Sequence, residues 1–65
     1  MSYSKKALHI LARAGVEDAE YQLGLEFCVR NDSRQAMHWL KRAAFKKHTK
    51  AIEVIHEIIE RKLIS

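Results

Sequence analysis

The sequence predicts an all-α protein of four antiparallel helices. Three observations lead there. The 65 residues contain no proline and only two glycines, and Ala, Leu, Ile, Glu, Lys and Arg dominate, mostly reasonable helix formers. Apolar residues recur at spacings of three and four in four separate segments. Between those segments stand short connections, at Gly15, Arg30-Asn31-Asp32 and His48-Thr49.

The first helix is expected over about residues 3–14. At ~100° per residue, Tyr3, Ala7, Leu8, Ile10, Leu11 and Ala14 gather on one face, and Lys5, Lys6, His9 and Arg13 on the other. Gly15 supplies the left-handed residue that helix ends favour. The second helix is expected over about 16–29, with Glu17, Asp18 and Glu20 in its first turn, where the helix dipole favours acids. Ala19, Leu23 and Phe27 make one apolar stripe and Tyr21, Leu25 and Cys28 a nearly opposite one. Two such stripes predict an inner helix with a neighbour on each side.

Asp32 with Gln35 three residues on resembles a capping box for the third helix, expected to run to about Lys46. Ala36, Met37, Trp39, Leu40, Ala43 and Ala44 share its inward face. Thr49 is the expected cap of the fourth helix, over about 50–63. Ala51, Ile52, Val54, Ile55, Ile58, Ile59 and Leu63 cover about half of its circumference, with Glu53, Glu57 and Glu60 facing away.

Shifting the chain by 32 residues places Ala19 on Ala51, Leu23 on Ile55, Phe27 on Ile59, Leu8 on Leu40 and Ala12 on Ala44. Such self-similarity marks helical repeats. The run Ala19, Leu23-Gly24, Phe27, then Asp32, then Ala36, Trp39-Leu40, Ala43-Ala44 and Ala51 resembles the Sel-one-like repeat. That family is a branch of the tetratricopeptide-like (TPR-like) α/α repeats. The resemblance implies an α-solenoid of two stacked helix-turn-helix units: a half repeat at 3–18, a whole repeat at 19–50 and a half repeat at 51–65. It also implies an interaction scaffold without chemistry of its own. Gly15 stands at the inter-repeat glycine. Lys47 occupies the second such position and His56 the glycine of the next Leu-Gly pair, so the fourth helix is expected to pack at its own angle.

Charge and chemistry narrow the function. The formal net charge is +4, from 12 Lys and Arg against 8 Asp and Glu. No stretch approaches the ~20 apolar residues of a membrane span, and no signal-peptide pattern is present. The lone cysteine, Cys28, fits a reducing compartment. The expected setting is therefore cytoplasmic, away from membranes. No Gly-rich phosphate loop or nucleophile elbow occurs, so an enzyme is not expected. Glu53 and His56 have the spacing of carboxylate-bridged metal bundles but lack a second motif, so neither metal nor cofactor is expected.

No acid occurs between residues 33 and 52. In that segment His38, Lys41, Arg42 and Phe45 are expected on the outward face of the third helix, with Lys46 and Lys47 beyond. An exposed aromatic among cations has three readings: a dimer contact, an anchor for another protein with an acidic patch, or a stacking platform for nucleic acid. The first choice is a small non-catalytic interaction module acting as adaptor, regulator or inhibitor of a partner protein. The alternative is nucleic-acid binding through the basic 38–50 patch. Ile52, Ile55, Ile59 and Leu63 are candidates for self-association, as a homodimer.

Overall fold

The computed structural model describes residues 4–64, with side chains described for 4–61, and places them in four α-helices with no strand among them. These are α1 (Lys5–Arg13), α2 (Glu17–Val29), α3 (Ser33–Phe45) and α4 (Thr49–Ile64). Each helix packs on its neighbours in the chain, α2 on α3 most extensively, then α1 on α2 and α3 on α4. Tyr3 and Leu63, assigned to the cores of the first and last helices by periodicity, lie outside the residues whose side chains are described.

One turn recurs three times. Gly15, Asn31 and Lys47 all have positive φ, at 92°, 63° and 67°. They stand at positions 15, 31 and 47, sixteen apart. Around each, the same pair of hydrogen bonds closes the preceding helix. Gly15 N donates to Ala12 O and Val16 N to Leu11 O; Asn31 N to Cys28 O and Asp32 N to Phe27 O; Lys47 N to Ala44 O and His48 N to Ala43 O. This is the Schellman closure. Its last residue, Val16, Asp32 or His48, also accepts the first bond of the next helix through its carbonyl. Each turn is therefore as short as the motif permits.

The caps differ where the turns do not. Ser4 Oγ accepts from Ala7 N and Asp32 Oδ1 from Gln35 N, both at 3.2 Å. Only half of the expected capping box forms, because Asp32 N is already donated to Phe27 O. Helix α4 is capped by His48, not Thr49: His48 Nδ1 accepts from Ala51 N at 3.2 Å. The turn leaves one residue between Lys47 and the helix, and that residue is His48.

Among the described residues, the buried hydrophobic ones are five alanines and three leucines, in two groups. Leu8, Ala12, Ala19 and Leu23 form the first, with Trp39 of α3 packed against it. Ala36, Leu40, Ala43 and Ala51 form the second, with Tyr21 and Cys28 of α2 and Val54, Ile55 and Ile58 of α4 against it. Phe27 touches both groups, so α2 is apolar on two sides because it serves two cores. On α1 the expected face is rotated. Ala12 is fully buried, while Ile10 is 61% exposed and Ala14 is exposed. The short helix centres its buried stripe on Leu8 and Ala12, and Ile10 lies away from it.

Small residues bring the helices close. A Cβ on Gly24 would stand 2.6 Å from Leu40 Cγ and 3.3 Å from Ala36 O. Gly24→Ala is therefore predicted to cost about 1–2 kcal/mol net, since overpacking outweighs the better helix propensity of alanine. Lys47→Gly is predicted to do the opposite. Relief of the left-handed penalty exceeds the added freedom of the unfolded chain, for a net gain of about 0.5–1 kcal/mol. Thermal unfolding followed by circular dichroism checks both; the gain corresponds to a rise of roughly 2–8 °C in Tm.

Candidate interaction surface

On three of the four helices the Asp, Glu, Lys and Arg side chains are of one sign, and α4 carries both. Helices α1 and α3 contain no Asp or Glu; they carry Lys5, Lys6, Arg13, Arg34, Lys41 and Arg42. Helix α2 contains Glu17, Asp18, Glu20 and Glu26 and no Lys or Arg. Lys46 and Lys47 follow α3.

One acid crosses this division. Glu20 is 0% exposed. Its Oε2 accepts from Arg42 Nε and its Oε1 from Lys46 Nζ, both at 2.9 Å. Lys46 Nζ also donates to the carbonyl of Gly15 at 2.6 Å. Both carboxylate oxygens are thus satisfied, and the turn after α1 is tied to the end of α3. Arg42 is held a second time, with its Cζ 5.5 Å from the Trp39 ring centroid, within reach of a cation–π contact. In the sequence Glu20 stands out only as an acid in a first helical turn. Its partners lie 22 and 26 residues further on, and nothing local marks the pairing.

The cations expected together are therefore divided by the fold. Arg42 and Lys46 are structural anchors with part of their surface still in solvent. His38, Lys41 and Lys47 are exposed, and Phe45 is 89% exposed. His38 meets the edge of Trp39 with ring centroids 5.0 Å apart. The surface around Lys41, Arg42, Phe45 and Lys46 forms a shallow depression of about 330 Å³. A second, of about 550 Å³, is lined by Ser33, Arg34, Met37, His38 and Lys41.

The residues assigned to self-association are also divided. Ile55 packs on the second core, while Ile52 and Ile59 are 37% and 45% exposed. Beside them is a groove absent from the sequence reading, about 390 Å³, between the end of α2, the α2–α3 turn and α4. Leu25, Cys28, Val54 and Ile58 give it an apolar floor, and Asn31, Ser33, Glu57 and Arg61 a polar rim. Burial pushes the Cys28 thiol above its ordinary range, which keeps it protonated and a weak nucleophile at neutral pH.

His48 joins the two turns from the other side. Its ring stacks on Tyr21 with centroids 4.6 Å apart, and its Nε2 lies 3.7 Å from Asp18 Oδ1. Among the described residues no three His, Cys, Asp or Glu side chains converge as metal ligands would. No helix there is long and apolar enough to cross a membrane. No protein-family model matches this chain, and no curated protein or solved structure matches it either.

The Glu20 contacts make an asymmetric prediction. Removing both cations leaves a buried carboxylate without partners, which costs about 3–5 kcal/mol, comparable to the whole stability of a domain this small. Arg42→Met with Lys46→Met is therefore predicted to unfold the protein at 25 °C. Adding Glu20→Leu should restore a helical, cooperatively unfolding chain. Urea titration followed by circular dichroism checks this, and a triple variant no more stable than the double would contradict it.

Proposed function

We propose that this chain is a small non-catalytic interaction module that binds another protein as adaptor, regulator or inhibitor. One observation carries the reading: Phe45 stands 89% exposed on a helix that has cations and no acid. Aromatic residues and arginine are enriched at the cores of protein interfaces. Arg42 and Lys46, fixed on Glu20, hold the helix end that carries Phe45.

The frame we propose is two stacked helix-turn-helix units of the TPR-like kind. The sixteen-residue spacing of the left-handed residues supports it. So do the contacts from Lys46 to Gly15 and from His48 to Tyr21, which bring the α1–α2 and α3–α4 turns to one end. In this reading Lys47 takes the inter-repeat glycine's place and adopts its conformation. The part-exposed Ile52 and Ile59 form a separate apolar surface suited to a second copy. The alternative, a nucleic-acid partner, draws on the same acid-free segment.

Capture by photocrosslinking from cells that express the protein tests the first reading, with the crosslinker at His38. A protein partner is predicted for the wild type and lost in Phe45→Ser, while the circular dichroism spectrum stays unchanged because Phe45 makes no core contact. Equal recovery by both forms would sink the proposal.

A further inference from the structure

The exposed residues of α3 carry an inference about the shape of the partner, resting on the interaction-module reading. Arg34, His38, Lys41 and Phe45 are all exposed. Their spacings are four, three and four, so they form one straight stripe along the helix, opposite the buried Ala36, Leu40 and Ala43. A second helix laid lengthwise on α3 would meet all four of these side chains. Two separate shallow depressions border this stripe, and Lys41 lines both. At 1.5 Å per residue, the stripe from Arg34 to Phe45 is about 17 Å long, or three turns.

We infer that this stripe is the seat of an acidic α-helix from the partner protein. The stripe sets the partner's pattern. Acidic side chains belong opposite Arg34 and Lys41, neither of which is paired with an acid among the described residues. They stand seven residues apart, so one helix can present two acids at the matching interval. An apolar side chain one turn further on covers Phe45. A single strand of nucleic acid fits less well, because the cations lie along a straight ridge with Phe45 at its end, whereas single strands are held by stacking rings along a basic groove.

The probe is a designed alanine-based helix of about 18 residues, long enough to hold helical structure. It carries two Glu seven residues apart and a Leu four residues after the second. A companion peptide has the same pattern in reverse order, to cover both chain directions. Controls are the peptides with Lys in place of Glu, a single-stranded oligonucleotide of about 20 nucleotides and a duplex of the same length. In fluorescence anisotropy, one of the two acidic peptides is expected to bind and to gain helicity on binding. Phe45→Ala and Lys41→Glu are each expected to weaken it about tenfold or more. Both positions are exposed, and unchanged thermal unfolding of the variants confirms that the fold is intact. Tighter binding of an oligonucleotide than of either peptide overturns the inference. So does equal binding by wild type and Phe45→Ala, or no binding by either acidic peptide. If the peptides fail but Phe45-dependent capture of a protein survives, the helical partner is wrong and the interaction module stands; if capture fails too, both fall.

Discussion

The carboxylate of Glu20 is the constraint on which the arrangement of helices depends. A charge with no solvent exposure must be matched inside the fold, and among the described residues Arg42 and Lys46 reach it. Because Lys46 also holds the Gly15 carbonyl, the match fixes three things at once: the start of α2, the end of α3 and the turn between α1 and α2. A core made largely of alanines gives little side-chain relief by which helices could be keyed to one another. The ion pair supplies an orientation that small apolar surfaces leave loosely set. Its cost is conditional, since a buried pair stabilises little over an apolar replacement and matters most when one member is missing.

The periodic features of the chain are legible because they are local. Four helices, the three connections and the inward face of α3 follow from spacing alone, and the shared buried face of Ala36, Leu40 and Ala43 matches that expectation. Gly15 announces its left-handed conformation by its residue type. Asn31 does so weakly and Lys47 not at all, although all three close the same turn. The cap of α4 was hidden for a related reason. Thr49 has the usual capping hydroxyl, but the turn at Lys47 ends one residue earlier and gives the position to His48. On α1, nine residues are too few for periodicity to fix the face, and Ile10, expected inward, is mostly in water.

The surface was legible in outline and not in its division of labour. An acid-free basic stretch around a stray Phe45 can be read directly from the chain. Which of its cations are committed elsewhere depends on residue 20, more than a helix away. Charge in a sequence is therefore a poor guide to charge available at a surface. Here two members of one cluster stabilise the scaffold, and their neighbours Lys41 and Lys47 remain turned to solvent.

The sorting of charge by helix has one further consequence. With four of the eight acids on α2, three on α4 and none on α1 or α3, the molecule carries an uneven electrostatic field. Such a field acts before contact. At low ionic strength it turns an approaching charged body toward one side and raises the rate of productive encounters, and it fades as the Debye length shrinks to ~8 Å in physiological salt. For a protein only 35 Å in its longest dimension, that range is a substantial part of its own size. Orientation during diffusion is thus set by how the helices are charged, independently of what the contact surface finally recognises.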